Sequence, residues 1–253
     1  MHKYFLTFVV TASLSLAPVL SFAQGILVQD SSDPQTLVSS PPGYLLESKH
    51  SLQTSLVDIQ AVGAPSMQTE NGKTGMASTI HYGHGVIIDS SGIIVTNTHI
   101  IANAEHIYVS LNEDGVFEAV VLYNSKSDFS FIKIDPPYPL NTISWGDASL
   151  LQTGNPIIAL ANSDTDPRTV LSGEVTNLIK GQHSGNVNYL ELKVNLNPGD
   201  SGGPIMDEQG DLLGLIMAGS KSDNSQTIAI SSDKIQREFL KYKGSILVPS
   251  NSS

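Results

Sequence analysis

Asn197-Pro198-Gly199-Asp200-Ser201-Gly202-Gly203-Pro204 sets a single serine among residues that free or constrain the backbone, so the chain here is held in an unusual turn. A serine hydroxyl is a weak nucleophile that needs a general base, and the oxyanion formed when it attacks a carbonyl needs preorganised N–H donors. Gly199 and Ser201 are the candidate donors for such an oxyanion hole, because a glycine reaches backbone angles closed to other residues and puts no side chain in a substrate's path. Gly202 and Gly203 leave room for close approach. The plainer reading is an ordinary glycine-rich turn between strands. Whether a histidine and an aspartate stand in matching contexts decides between the two.

Upstream, Gly85-Val86-Ile87-Ile88-Asp89 and Gly92-Ile93-Ile94-Val95 read as a β-hairpin turning at Ser90 to Gly92, and Thr96-Asn97-Thr98-His99 follows where the second strand ends. Further on, Asp128-Phe129-Ser130-Phe131-Ile132-Lys133-Ile134 opens another strand, again with the ionisable residue at an element boundary where a side chain can reach a cleft. The chain order His99, Asp128, Ser201, together with Gly-Asp-Ser-Gly-Gly-Pro around the serine, resembles the chymotrypsin-like serine proteases. The flanks, including Gly83-His84-Gly85-Val86-Ile87-Ile88 and Trp145-Gly146-Asp147-Ala148, look most like the HtrA (Deg) branch. The likeness runs from about residue 55 to about residue 240.

That resemblance implies an all-β fold of two antiparallel β-barrels with the active site between them, His99 and Asp128 from the first and Ser201 from the second. Ser201 would attack, His99 would serve as general base and then acid, and Asp128 would fix the imidazole tautomer. It also implies a primary specificity pocket with Asn195 at its floor and Ile216, Met217 and Ala218 along its wall. A neutral floor disfavours lysine and arginine in the substrate. Lys193 is expected to point to solvent. Four departures stand out. Asp200 occupies a place where the HtrA branch usually has asparagine, aspartate there being typical of the digestive branch, where it pairs with a freed N-terminus. His84 replaces a serine between two glycines, Ala159-Leu160-Ala161-Asn162-Ser163 replaces an apolar-glycine segment, and Glu191-Leu192-Lys193 replaces the usual Gln-Thr-Asp approach to the serine.

Residues 1–23 combine Lys3, an apolar run and Ser21-Phe22-Ala23, and read as a cleavable secretory signal. A membrane anchor is the rival, but a span wants ~20 predominantly apolar residues and this run is broken by polar residues and Pro18. The net charge is −11, and loss of Lys3 takes it to −11 − 1 = −12, which argues against nucleic acid or anionic lipid as partners. With no cysteine the chain has neither disulfides nor a thiolate metal site. His81 and His84 stand three apart, which on a strand sends them to opposite faces, so they read as no metal pair. No metal and no cofactor is expected.

Residues 24–51 are rich in Ser, Pro, Gln and Asp and read as a loosely ordered segment. Tyr44-Leu45-Leu46 within it is a candidate trimer contact by the resemblance, with a floppy arm as the other reading. The protease domain is expected over 52–243, with barrel one at 52–140, barrel two at 141–231 and a closing helix at 232–243 whose Ser232-Asp233 start and Ile235, Phe239, Tyr242 spacing suit a packed helix. Residues 63–79 read as a long loop with Asn71-Gly72 turn chemistry, and 244–253 as a polar tail in place of the PDZ domain that many HtrA relatives carry. Two classes of function stay open: an exported serine endopeptidase, periplasmic or secreted, acting on protein or peptide substrates, and a catalytically weak binding or chaperone-like protein on a protease fold.

Overall fold

The computed structural model describes residues 54–70, 73–111, 114–161, 169–182, 184–197, 199–219 and 226–247. All of them belong to one compact unit, residues 40–253. The expected signal, the segment 24–51 with Tyr44-Leu45-Leu46, and the end of the tail lie outside the described residues.

The first half forms a seven-stranded antiparallel sheet in the order β7-β6-β1-β4-β5-β9-β8. Its strands are β1 (Leu56–Gly63), β4 (Ile80–Asp89), β5 (Ile93–Thr96), β6 (Ala104–Ser110), β7 (Val116–Glu118), β8 (Val120–Asn124) and β9 (Ser130–Lys133). The two edge strands, β7 and β8, are separated in the chain by Ala119 alone, whose N–H donates to Ile107 O (2.8 Å). The sheet thus curls back on itself through a covalent corner without a closed ring of hydrogen bonds, a half-barrel that makes the first of the two β-barrels expected.

The second half closes fully. Strands β10 (Pro156–Ala161), β11 (Thr169–Lys180), β12 (Val187–Lys193), β15 (Gln226–Ser231), β14 (Leu212–Gly219) and β13 (Pro204–Met206) form a barrel in that order. Strands β2 (Ser66–Glu70) and β3 (Lys73–Ala77) pair as a separate hairpin, from Ser66↔Ala77 to Glu70↔Lys73, where a loop was expected. Met67 and Met76 at its paired positions are exposed, so these two apolar residues follow no core-facing alternation that a sequence pattern would show.

The run from Gly83 to Ile88 is buried on both sides, which is why its apolar residues do not alternate. Ile87 faces the interior of the first sheet with Ile59, Ile94 and Ile132, whereas Val86 and Ile88 face the second half. There they meet Phe129, Phe131 and Val95 from the first half and Leu160, Met206, Leu212, Leu215 and Ile230 from the second in one continuous core. Burying side chains of this size stabilises by about 1.5–3 kcal/mol each.

The terminal helix straps both halves. A one-turn helix α1 (Thr98–Ile101) follows β5, and the long helix α2 runs Ser232–Leu247, four residues beyond its expected end. Ile235 and Phe239 enter the shared core, Lys243 Nζ lies 2.6 Å from Asp89 Oδ2 of β4, and Tyr123 of β8 donates to Glu238 (2.6 Å). Burial pushes the Asp89 carboxyl up, but hydrogen bonds from Lys243 and Ser91 outweigh it and hold Asp89 below the usual range. Ser232, read from sequence as the cap, donates instead to Gly146 O; the preceding Ser231 Oγ accepts the Lys234 N–H (3.3 Å) and does the capping.

Candidate active site

Strands β5 and β9 are neighbours, with Thr96 opposite Ser130, so the residues just past their adjoining ends come together. His99 stands in the first turn after β5 and Asp128 two residues before β9. His99 Nδ1 lies 2.8 Å from Asp128 Oδ2, and the His99 backbone N–H donates to Asp128 Oδ1 (3.0 Å). An ionised carboxylate only accepts, so Nδ1 carries the proton and Nε2 presents its lone pair. Asp128 is itself seated from behind, its carbonyl accepting from Asn97 Nδ2 (3.0 Å) and from the Thr98 N–H (3.3 Å). Its backbone is left-handed (φ 60°), a conformation that costs most residues but that aspartate tolerates. The imidazole is about half exposed.

Ser201 comes from the turn between β12 and β13, with Gly199 (φ 109°) and Gly202 (φ 83°) on either side. Main-chain bonds fix this turn: Asp200 N to Asn197 O (3.2 Å), Gly203 N to Asp200 O (3.1 Å), Gly202 N to Ile216 O (2.9 Å) and Ile216 N to Gly203 O (2.9 Å). One more joins the two halves, from His84 N of β4 to Ser201 O (2.9 Å). Among the described residues the N–H groups of Gly199 and Ser201 donate to no carbonyl. The Asp200 side chain, almost fully buried, accepts from the Asn197 N–H (2.6 Å) and so braces the turn that carries Ser201. The Ser201 hydroxyl donates to the Met217 carbonyl (3.3 Å). Meeting Nε2 of His99 requires it to leave that carbonyl by rotation about the Cα–Cβ bond.

Gly202 has no freedom to change. A Cβ there would fall 1.9 Å from His84 O, which is backbone and cannot swing aside. Gly202→Ala is therefore expected to lower stability by more than the ~1–2 kcal/mol that a left-handed backbone costs alone. A urea midpoint equal to wild type would contradict this packing.

The residues expected to line a specificity pocket separate. Asn195 is exposed. Ile216 is buried in the second barrel's interior with Ala159 and Ala229, so its side chain lines no pocket, while its backbone holds the nucleophile turn. Met217 is the extra residue of a bulge between Ile216 and Ala218, half-buried against the shared core. Ala218 continues β14 opposite Ile228, its side chain outside the described residues. Lys193 extends to solvent, 3.5 Å from Glu174. Sequence reading did not single out Asn97, the Met217 carbonyl or the His84 backbone as contacts of the site. An asparagine directly after the apolar run Ile93-Ile94-Val95 and Thr96 was the available signal for the first, and the structure buries it fully; the other two act through main-chain atoms that no side-chain pattern reveals.

The fold and this cluster define a peptidase-like double β-fold, and comparison with known proteins agrees. The chain belongs to the trypsin-like peptidase domain family, which matches residues 83–215. Among curated proteins it is 32% identical over 165 residues to "Serine protease HTRA4" of Mus musculus, covering 63% of this chain and 34% of that protein. It is 32% identical over 149 residues to "Serine endoprotease DegS" of Escherichia coli K12, covering 57% of this chain and 42% of that protein. The chain thus spans about one third to two fifths of the length of these relatives. A solved HtrA-type protease with a decapeptide shares the fold at a TM-score of 0.66 and 20% identity, over 79% of this chain and 67% of that one. The HtrA-like resemblance read from the sequence holds.

Proposed function

We propose that this chain is an exported serine endopeptidase that hydrolyses protein or peptide substrates with Ser201 as nucleophile, His99 as general base and acid, and Asp128 as orienting carboxylate. The observation that carries this reading is the two-point seating of His99 on Asp128, through Nδ1 at 2.8 Å and through the backbone N–H at 3.0 Å. It presets the tautomer whose Nε2 takes the serine proton on attack and returns it to the leaving amine. The uncommitted N–H groups of Gly199 and Ser201 serve as the oxyanion donors. Membership in a peptidase family and the HtrA-type relatives support the reaction class. The apolar opening of the sequence supports export to the periplasm or medium, and no described helix is long and apolar enough to cross a membrane. A serine-reactive fluorophosphonate probe tests the reading: labelling mapped to Ser201 is expected, and a natively folded, unlabelled protein would favour the binding or chaperone-like alternative.

The cleft beside Ser201 is expected to prefer small or medium uncharged residues before the cut, chiefly Val, Ala, Leu, Ile or Thr, with Ile216 contributing no side chain to it. Asn195, the floor position the resemblance implies, is neutral, Met217 is unbranched and adaptable, and Lys193 leans away toward Glu174. Discrimination is expected to be modest, since one methylene in an apolar pocket is worth about 1–3 kcal/mol. Mass spectrometry of a digested peptide library reads it directly; cuts confined to Lys and Arg, or to Asp and Glu, would reject this pocket.

A further inference from the structure

Strands β1 and β4 and the residue just past β5 carry a row of polar side chains across the face that looks toward the second half. Asp58 is opposite His84, and the pair Gly85↔Thr96 brings His84 opposite Asn97 on the next rung. The neighbouring positions on the same face, Leu56, Val86 and Val95, lie in the shared apolar core. Into that surrounding the row introduces two orphaned groups: among the described residues His84 Nδ1 and Asn97 Oδ1 are buried without a hydrogen-bond partner. The other ring nitrogen, Nε2, lies 3.4 Å from Asp58 Oδ1, whose side chain is half exposed.

A buried polar atom left unpaired costs about 1–3 kcal/mol, so each such group in a folded protein calls for an explanation, which its neighbours supply here. Here both residues touch the proposed catalytic groups. Asn97 Nδ2 holds the Asp128 carbonyl (3.0 Å). His84 holds the serine turn: its N–H donates to Ser201 O (2.9 Å), its carbonyl is fixed by Thr96 Oγ1 (2.7 Å), and that same carbonyl sits where a Cβ on Gly202 would fall.

We propose that His84 is a positioning residue: its imidazole, lodged between Asp58 and Asn97, sets the end of β4 so that the backbone there holds Ser201 and Gly202 in register with the His99–Asp128 pair. The inference rests on the serine-peptidase reading above. A displacement of about 1 Å in such a turn costs on the order of 10²-fold in rate, and a partial one about tenfold.

The test compares wild type with His84→Leu, nearly isosteric and without polar atoms, and His84→Gln, whose amide still reaches Asp58. His84→Leu is expected to melt at or above the wild-type temperature, because the orphaned nitrogen is gone, yet to lose about tenfold in kcat and in probe-labelling rate with KM unchanged. His84→Gln is expected to recover most of that loss. A residue that merely packs would lower melting temperature and activity together, and that result overturns the proposal. So does an unchanged kcat in His84→Leu, or a rise in KM alone. Should His84→Leu fail to fold, Asp58→Asn, at the half-exposed end of the row, must show the same kcat loss without destabilisation, or the proposal falls. Amide exchange at Gly202 and Gly203 provides a readout independent of catalysis, expected to quicken about tenfold in His84→Leu while β10–β12 exchange is unchanged. Unlabelled wild type would overturn the protease reading itself, and the exchange rates would still decide whether His84 positions the turn.

Discussion

Ser201→Ala abolishes fluorophosphonate labelling and casein cleavage, with turnover expected to fall roughly 10⁶-fold, while the protein folds as before. The expectation of an intact fold comes from where the hydroxyl is. Its one described hydrogen bond, to the Met217 carbonyl, is long at 3.3 Å, and the turn is carried by main-chain bonds from Asp200, Gly202, Gly203, Ile216 and His84 that survive the substitution. Alanine also keeps the backbone angles that serine adopts between the two left-handed glycines. Removing the hydroxyl therefore takes away the nucleophile and little else. His99→Ala is expected to cost about as much, because residues that act as a unit fail as a unit. Labelling, cleavage assays and thermal melting on the same preparation check the result. Wild-type proteolysis in Ser201→Ala, with contamination excluded, would dismiss Ser201 as the nucleophile.

The parts of this site that were legible in the sequence are those whose chemistry lies in side chains at strand ends. His99 follows an apolar hairpin and Asp128 precedes an apolar run, so hydrophobic pattern placed both at element boundaries, and the structure buries those strands as the pattern implies. Many short strands and a closing helix were legible in the apolar pattern, and their arrangement as two barrels came from the resemblance to chymotrypsin-like proteases. What was not legible depends on main-chain geometry or on the direction of a side chain within a strand. The bulge at Met217 inserts one residue into β14 between Ile216 and Ala218, and such an insertion shifts the pairing without leaving a mark in the apolar pattern. The β2–β3 hairpin has exposed methionines and polar neighbours, so no period betrays it. His84 lies in β4 and Asn97 just past β5, and the meaning of their orphaned atoms appears only when the neighbouring strands are laid side by side.

Asp128→Asn is expected to lower kcat on the order of 10⁴-fold with the melting temperature little changed. Asparagine, like aspartate, accepts a left-handed backbone, so the φ of 60° at this position adds no new strain, whereas Asp128→Ala would add ~1–2 kcal/mol of backbone cost and confuse the measurement. The carboxylate accepts at two points, Oδ1 from the His99 N–H at 3.0 Å and Oδ2 at 2.8 Å from Nδ1. An amide cannot accept at both. If its oxygen keeps the backbone N–H, which is fixed in α1, its NH₂ group faces Nδ1 and can only donate to it. The imidazole proton must then sit on Nε2, and the nitrogen meant to take the Ser201 proton no longer has a lone pair to offer. The loss should therefore fall on kcat and on probe labelling together, with KM close to wild type, because substrate contacts are untouched. Nitrogen-15 spectra of the imidazole report the tautomer directly: Nδ1–H in wild type and Nε2–H in Asp128→Asn. Activity within tenfold of wild type, or an unchanged tautomer, would mean that Asp128 only props the histidine and does not set its proton.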